Sequence, residues 1–153
     1  MNIIKTLAIQ LLRYNMDAIL ITDNVGLAYV TGMSNIEGAA FITRDEKAYC
    51  FTDSRYIEAA QKIVSPRGFE VSTVGGNNYF KHIGQMCRDV NIKILGFEDA
   101  YMTVQEYKRA QAAFDSELAD ASGILQELRT HKSSFEANSI KRAQKIADRK
   151  SVV

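Results

Sequence analysis

Two short runs, Ala39-Ala40-Phe41-Ile42-Thr43 and Tyr49-Cys50-Phe51-Thr52, flank the charged Arg44-Asp45-Glu46-Lys47, and Asp53-Ser54-Arg55-Tyr56 follows the second run. Apolar runs this short on either side of a polar turn read as a β-hairpin, so the sheet they belong to contains an antiparallel pair. Beyond the hairpin, Tyr56, Ile57, Ala60, Ile63 and Val64 fall at helical rather than alternating spacing. Ser54 is a suitable N-cap for that helix. A strand edge thus delivers Asp53, Arg55 and Tyr56 to one rim of a sheet.

Working outward, Ile3, Ile4, Leu7, Ala8, Leu11 and Leu12 recur at three- and four-residue steps and predict an amphipathic helix ending near Asn15. Ala18-Ile19-Leu20-Ile21 is a fully apolar run of the interior-strand type. Thr22-Asp23-Asn24 closes it, and Asp23 or Asn24 caps a helical turn through Val30. Residues 31–38 form a loop bracketed by Gly32 and Gly38. After the hairpin and its helix, Ser65-Pro66-Arg67-Gly68 is a break containing the chain's single proline. Residues 69–74 alternate as a half-buried strand does, and Gly75-Gly76-Asn77-Asn78 leads into a helix from Tyr79 to Val90 with Phe80, Ile83, Met86, Cys87 and Val90 on one face.

The rest alternates similarly. Residues 92–97 read as a strand, and Thr103 with Glu106 has the spacing of a capping box opening a helix through Phe114. A last short strand at residues 117–120 precedes a helix through Ile124, Leu125 and Leu128. Ser133 and Glu136 form a second capping box before Ile140, Ala143, Ile146 and Ala147. That final helix has no stop signal, from which a truncated chain is expected. Strands separated by helices, with one hairpin, predict an α/β layered domain with helices on both faces of a mixed sheet.

Composition narrows the function classes. A content of 46% hydrophobic and 24% charged residues is that of a folded globular domain rather than a disordered chain. Lys and Arg number 19 against 18 Asp and Glu, so the formal charge of +1 supplies no field for binding nucleic acid or anionic lipid. Cys50 and Cys87 lack CxxC or zinc-type neighbours, which points to two reduced thiols and a cytoplasmic setting. The N-terminus lacks a signal-peptide layout, and no run reaches the roughly 20 apolar residues of a membrane helix.

No complete catalytic set is legible. Ser54 lacks a GxSxG context and a histidine that sequence can pair with it, so a cap is the better reading. His82 and His131 lie in no metal-binding motif, and His82 and Cys87 fall on different faces of one helix. The Gly75–Asn78 turn matches neither phosphate-binding fingerprint. Asp53, Arg55 and Tyr56 combine a carboxylate, a guanidinium and a phenol suited to a charged ligand end, or to local pairing and packing.

The ordered set Asp17-Ala18-Ile19-Leu20-Ile21-Thr22, Ala28-Tyr29-Val30-Thr31-Gly32, Phe51-Thr52-Asp53-Ser54-Arg55-Tyr56, Gly68-Phe69-Glu70-Val71, Leu95-Gly96-Phe97-Glu98, Ala121-Ser122-Gly123 and Leu128-Arg129 resembles the N-terminal domain of the creatinase, prolidase and aminopeptidase P family. The resemblance implies a three-layer α/β/α domain with a mixed sheet of about six strands over residues 1–130. Residues 131–153 resemble the junction and the start of the first helix of a following pita-bread metallopeptidase domain. Where relatives often hold proline after Ser133, this chain has Ser134.

In that family the metal ligands and proton-handling histidines belong to the following domain. The resemblance therefore implies no cofactor and no catalytic or metal-site residue in this chain, with a divalent metal (manganese, cobalt or zinc) bound by the catalytic domain. It implies a cytoplasmic Xaa-Pro aminopeptidase or dipeptidase acting on proline-containing peptides as a homodimer, with no nucleic-acid or membrane partner. It further implies that this domain serves dimer formation and active-site access. Asn35, Glu37, Asp53, Arg55 and Tyr56 are the candidate substrate-gating or inter-subunit residues. The alternative is a protein- or peptide-binding module from a catalytically degraded relative.

Overall fold

Asn2 opens the first element: its side-chain oxygen accepts the N–H groups of Ile4 and Lys5, and helix α1 runs Ile3–Arg13. A computed structural model describes residues 2–75, 79–132 and 134–150. The strands are β1 (Ala18–Ile21), β2 (Gly38–Thr43), β3 (Ala48–Thr52), β4 (Glu70–Thr73), β5 (Ile94–Phe97) and β6 (Glu117–Asp120). Between and after them lie α2 (Asn24–Thr31), α3 (Ile57–Ile63), α4 (Tyr79–Asp89), α5 (Val104–Ala113), α6 (Ser122–Thr130) and α7 (Ser134–Lys150).

The strands make one sheet in the order β4-β3-β2-β1-β5-β6. β2 is antiparallel to both β1 and β3, and the remaining pairings β3–β4, β1–β5 and β5–β6 are parallel. Successive strand side chains point to opposite faces, so each strand feeds two cores. Ile19, Ile21, Ala40, Ile42 and Cys50 pack with Leu7 and Leu11 of α1, Leu27 and Val30 of α2, Ala60 of α3 and Ile124 and Leu125 of α6. Ala18, Leu20, Phe41, Phe51 and Leu95 pack with Phe80, Ile83 and Cys87 of α4 and Ala110 of α5. The result is the expected three-layer α/β/α arrangement with a six-stranded mixed sheet.

Local signals account for most boundaries. Asp23 caps α2 by accepting from Val25 and Gly26 N–H, and the Thr103–Glu106 capping box closes in both directions at α5. Other expectations need correction. Ser54 does not cap a helix: α3 begins at Ile57 behind Tyr56, with no side-chain cap bond. The Asp53 carboxylate instead accepts the Arg55 N–H at 2.8 Å, a local Asx turn that holds residues 53–56 outside the helix. Leu12 is exposed, because it lies a further 100° around the helix from buried Leu11. Val90 is exposed as well, since α4 stops at Asp89 and Asn91 turns the chain with a φ of 56°. The Ser133 capping box and Gly76-Asn77-Asn78 lie outside the described residues. On α7, Ile140 is 54% and Ile146 61% exposed, so these two apolar side chains stand largely open to solvent.

Two carboxylates clamp the central parallel pair. At its start, Asp17 Oδ2 accepts the N–H groups of Lys93 at 2.7 Å and Ile94 at 2.9 Å, while its Oδ1 lies 2.8 Å from an Arg44 Nη1. At its end, Glu98 Oε2 accepts from Thr22 and Asp23 N–H, both at 2.9 Å. Each strand thus supplies an acid that satisfies the backbone of the other. Glu98 is 2% exposed and fills the crevice beyond the carboxyl ends of β1 and β5, where the chain's path across the sheet reverses. Open α/β sheets bind ligands at such crevices; here the space goes to the clamp. Gly26 makes room for it, since a Cβ there would run into Glu98 Oε1.

Burial raises the Glu98 pKa above its ordinary value despite the two N–H donors. Glu98→Ala, which strands those donors, is expected to cost about 2–4 kcal/mol in chemical denaturation. Glu98→Gln keeps a carbonyl acceptor and is expected to cost less. With a folded pKa above the unfolded one, the group's contribution is most favourable below the ordinary carboxylate pKa and declines as pH rises through the raised value. Glu98→Gln should remove that slope from the stability–pH curve; an unchanged slope would show that Glu98 does not titrate as described.

Candidate functional site

The β3–α3 corner and the loop over residues 32–37 meet at the rim of the sheet. The loop leaves α2 through Gly32, whose φ of 73° is the left-handed cap conformation, and is anchored from below by buried Met33 and Ile36. It returns at Gly38, where φ is 148° and a Cβ would collide with Phe51 O. Thr52 Oγ1 donates to Glu37 O at 2.7 Å and ties the loop to the end of β3. These contacts bring Glu37 beside residues that are fifteen or more positions away in the chain.

Arg55 is the hub. Its Nε lies 3.1 and 3.0 Å from the two Asp53 carboxylate oxygens, and its Nη2 donates to Glu37 Oε2 at 2.7 Å. Its Cζ stands 5.1 Å from the Tyr56 ring centroid, within cation–π range. The Arg55 and Glu37 side chains remain 64% and 60% exposed, so the cluster is held together yet open to solvent. Hydrogen bonding from Arg55 holds the Asp53 carboxyl below its ordinary pKa, and Asp53 followed by Glu37 raises that of the guanidinium. Among the described residues Arg55 Nη1 has no hydrogen-bond partner, which leaves a donor for an incoming acceptor.

Four of the five candidate residues therefore come together: Glu37, Asp53, Arg55 and Tyr56. Asn35 does not join them. It is exposed, with a φ of 59°, and turns the loop; no described hydrogen bond or ion pair links it to Arg55. Thr52 and Gly38, which position Glu37, were legible only as a strand residue and a loop bracket.

The groups usual in nucleophilic or metal chemistry do not gather at this corner among the described residues. Ser54 is exposed and has no described contact with a histidine. His82 stacks edge-on to Phe51 at 5.3 Å, and His131 terminates α6. Burial pushes the Cys50 thiol up to about 12 and Cys87 to about 11, so neither supplies a thiolate nucleophile near neutral pH. Among the described residues no three His, Cys, Asp or Glu side chains are grouped to hold a metal ion. Glu37 and Asp53 are both engaged by Arg55, so the corner does not fit a divalent cation either.

Residues 4–131 match the family model described as the Creatinase/Prolidase N-terminal domain. Among curated proteins, the Uncharacterized peptidase YqhT of Bacillus subtilis (strain 168) is 37% identical over 133 residues, which is 86% of this chain and 36% of that protein. Among solved structures, an Xaa-Pro dipeptidase from Bacillus anthracis superposes with a TM-score of 0.86 at 28% identity over 95% of this chain and 40% of that one. The N-terminal domain of the cytoplasmic peptidase PepQ from Mycobacterium tuberculosis H37Rv gives 0.73 at 27% identity over 82% of this chain and 97% of that one. The chain thus spans well under half the length of the whole peptidases it matches and nearly all of an N-terminal domain solved by itself. By its ordered motifs, its six-stranded mixed sheet and this match, the chain belongs to the Creatinase/Prolidase N-terminal domain family.

Proposed function

We propose that this chain is the non-catalytic N-terminal domain of a metal-dependent Xaa-Pro aminopeptidase or dipeptidase, contributing to dimer formation and to access at the active site. The observation that carries this reading is where the family match stops. It ends at residue 131, the described layers end with α6, and α7 continues with Ile140 and Ile146 exposed. An apolar stripe of that kind is what the first helix of a following domain presents to its own core. Residues 1–130 are then the N-terminal domain, and 131–153 the junction and the start of the catalytic domain. The divalent metal, manganese, cobalt or zinc, belongs to that second domain. A proline-containing peptide is the substrate of the whole enzyme, a cytoplasmic homodimer.

Within this reading the corner acts by recognition. Arg55, steadied by Asp53 and Glu37, offers a pre-oriented guanidinium N–H to a carboxylate or carbonyl of a bound peptide or of the neighbouring subunit. Asp53 and Tyr56 hold its direction, Glu37 ties it to the loop, and Asn35 sets the bend of that loop.

Two outcomes are expected. The 153-residue chain supplied with manganese, cobalt or zinc and Xaa-Pro peptides should show no turnover above a protein-free blank, and robust hydrolysis would refute the assignment. In a protein that also carries the catalytic domain, Arg55→Ala should raise KM about tenfold with kcat nearly unchanged, the loss of one charge-assisted hydrogen bond. Unaltered kinetics in an intact dimer would return Arg55 to a structural role.

A further inference from the structure

The two edges of the sheet are unlike. At β6, Glu117 and Asp120 place carboxylates along the strand, a common guard against unwanted pairing. β4 carries its only charge at Glu70 and is otherwise Val71, Ser72 and Thr73. Its inner side is satisfied by β3, with Val74 N–H donating to Thr52 O at 3.2 Å. The two-residue period of a strand then turns the N–H and C=O of Val71 and Thr73 outward. Among the described residues these outward groups have no partner.

Beside this edge runs a cleft of about 740 Å³ between β4 and α4, lined among others by Ser72, Lys81, His82, Gln85 and Arg88, with Glu70 at one end. A second hollow of about 310 Å³, lined by Lys81, Arg88 and Arg109, continues it towards α5. Lys81 and Arg88 are seven positions apart, two helical turns, and so share a face with a rise of about 10 Å between them. Arg88 also meets Asp115 at 3.5 Å and Gln85 at 3.1 Å, while Lys81 has no described ion pair. Among the described residues that line the two hollows, three cations, Lys81, Arg88 and Arg109, stand against one acid, Glu70.

We propose that the β4 edge, together with Lys81 and Arg88, docks an extended peptide segment bearing acidic side chains at alternate positions. The segment adds as a strand: Val71 and Thr73 supply its main-chain hydrogen bonds, and alternate side chains enter the cleft. Residues two apart on a strand are separated by about 7 Å on one face, so a pair of acids falls within reach of cations about 10 Å apart. A second copy of this chain paired edge to edge through β4 would set the same cations against each other, which favours an acidic partner segment.

The test uses the whole chain and a fluorescein-labelled peptide of alternating Asp and Val, read by anisotropy. Saturable binding is expected, with the Lys81→Glu/Arg88→Glu variant weaker by at least tenfold. Thr73→Pro removes an outward N–H that β3 does not use; it is expected to fold, checked by thermal melting, and to lose at least tenfold in affinity. As a readout that needs no variant, saturating peptide should slow amide exchange at Val71 and Thr73 at least tenfold. Absence of saturable binding would overturn the proposal. So would binding without protection of those amides, or equal competition by a single-stranded oligonucleotide, either of which denotes diffuse attraction of any polyanion.

Discussion

The reciprocal carboxylate clamp on β1 and β5 is the constraint on which the remaining architecture depends. Both strands lie inside the sheet with helices on either face, and the backbone N–H groups of Thr22, Asp23 and Ile94 at their ends are partly buried. Asp17 and Glu98 satisfy those groups from opposite ends and fix the parallel register that pairs Ala18 with Leu95. A buried backbone N–H without a partner costs on the order of 1–3 kcal/mol, so holding three partly buried donors, with the Lys93 N–H exposed, makes the two acids a substantial contribution. With these strands fixed, the antiparallel β2 and β3 and then the parallel β4 extend one way, and the parallel β6 the other.

That division also determines which polar side chains stay open to solvent. The crevice that many α/β domains offer to a ligand is closed by Glu98, with Gly26 left bare to admit it. Polar side chains free to meet another molecule are pushed to the periphery, to the loop over residues 32–37 and the turn after β3. There Arg55 joins Glu37 and Asp53 in the open, and its charge is organised without being buried. The cost of desolvating an ion pair is avoided, and the side chain remains available.

Much of the fold was legible in the sequence. The hairpin, the six strands and the Thr103–Glu106 box followed from apolar periodicity and capping chemistry, which are local signals. What was not legible depends on partners distant in the chain. Glu98 looks like any polar residue after a strand, because nothing local says that its oxygens meet Thr22 and Asp23. Ser54 failed as a cap because Asp53, one residue earlier, captures the Arg55 N–H first. Leu12 and Val90 are apolar residues just off the buried face, which composition alone does not separate from core. At the site, the Asp53-Ser54-Arg55-Tyr56 corner could be read directly, but the contact of Arg55 with Glu37 requires the loop geometry set by Thr52 and Gly38.

The clamp has a kinetic side. The Glu98 contact with Thr22 closes a separation of 76 residues, whereas the hairpin turn between β2 and β3 closes across Arg44 to Lys47. Loop-closure entropy makes the distant contact dearer by about 3 kcal/mol. A chain emerging in order can therefore assemble its antiparallel half long before β5 exists, with one flank of β1 unpaired in the interval. Until Glu98 arrives, the amides of Thr22 and Asp23 remain hydrated, and the interior of the sheet is sealed only when the second half docks.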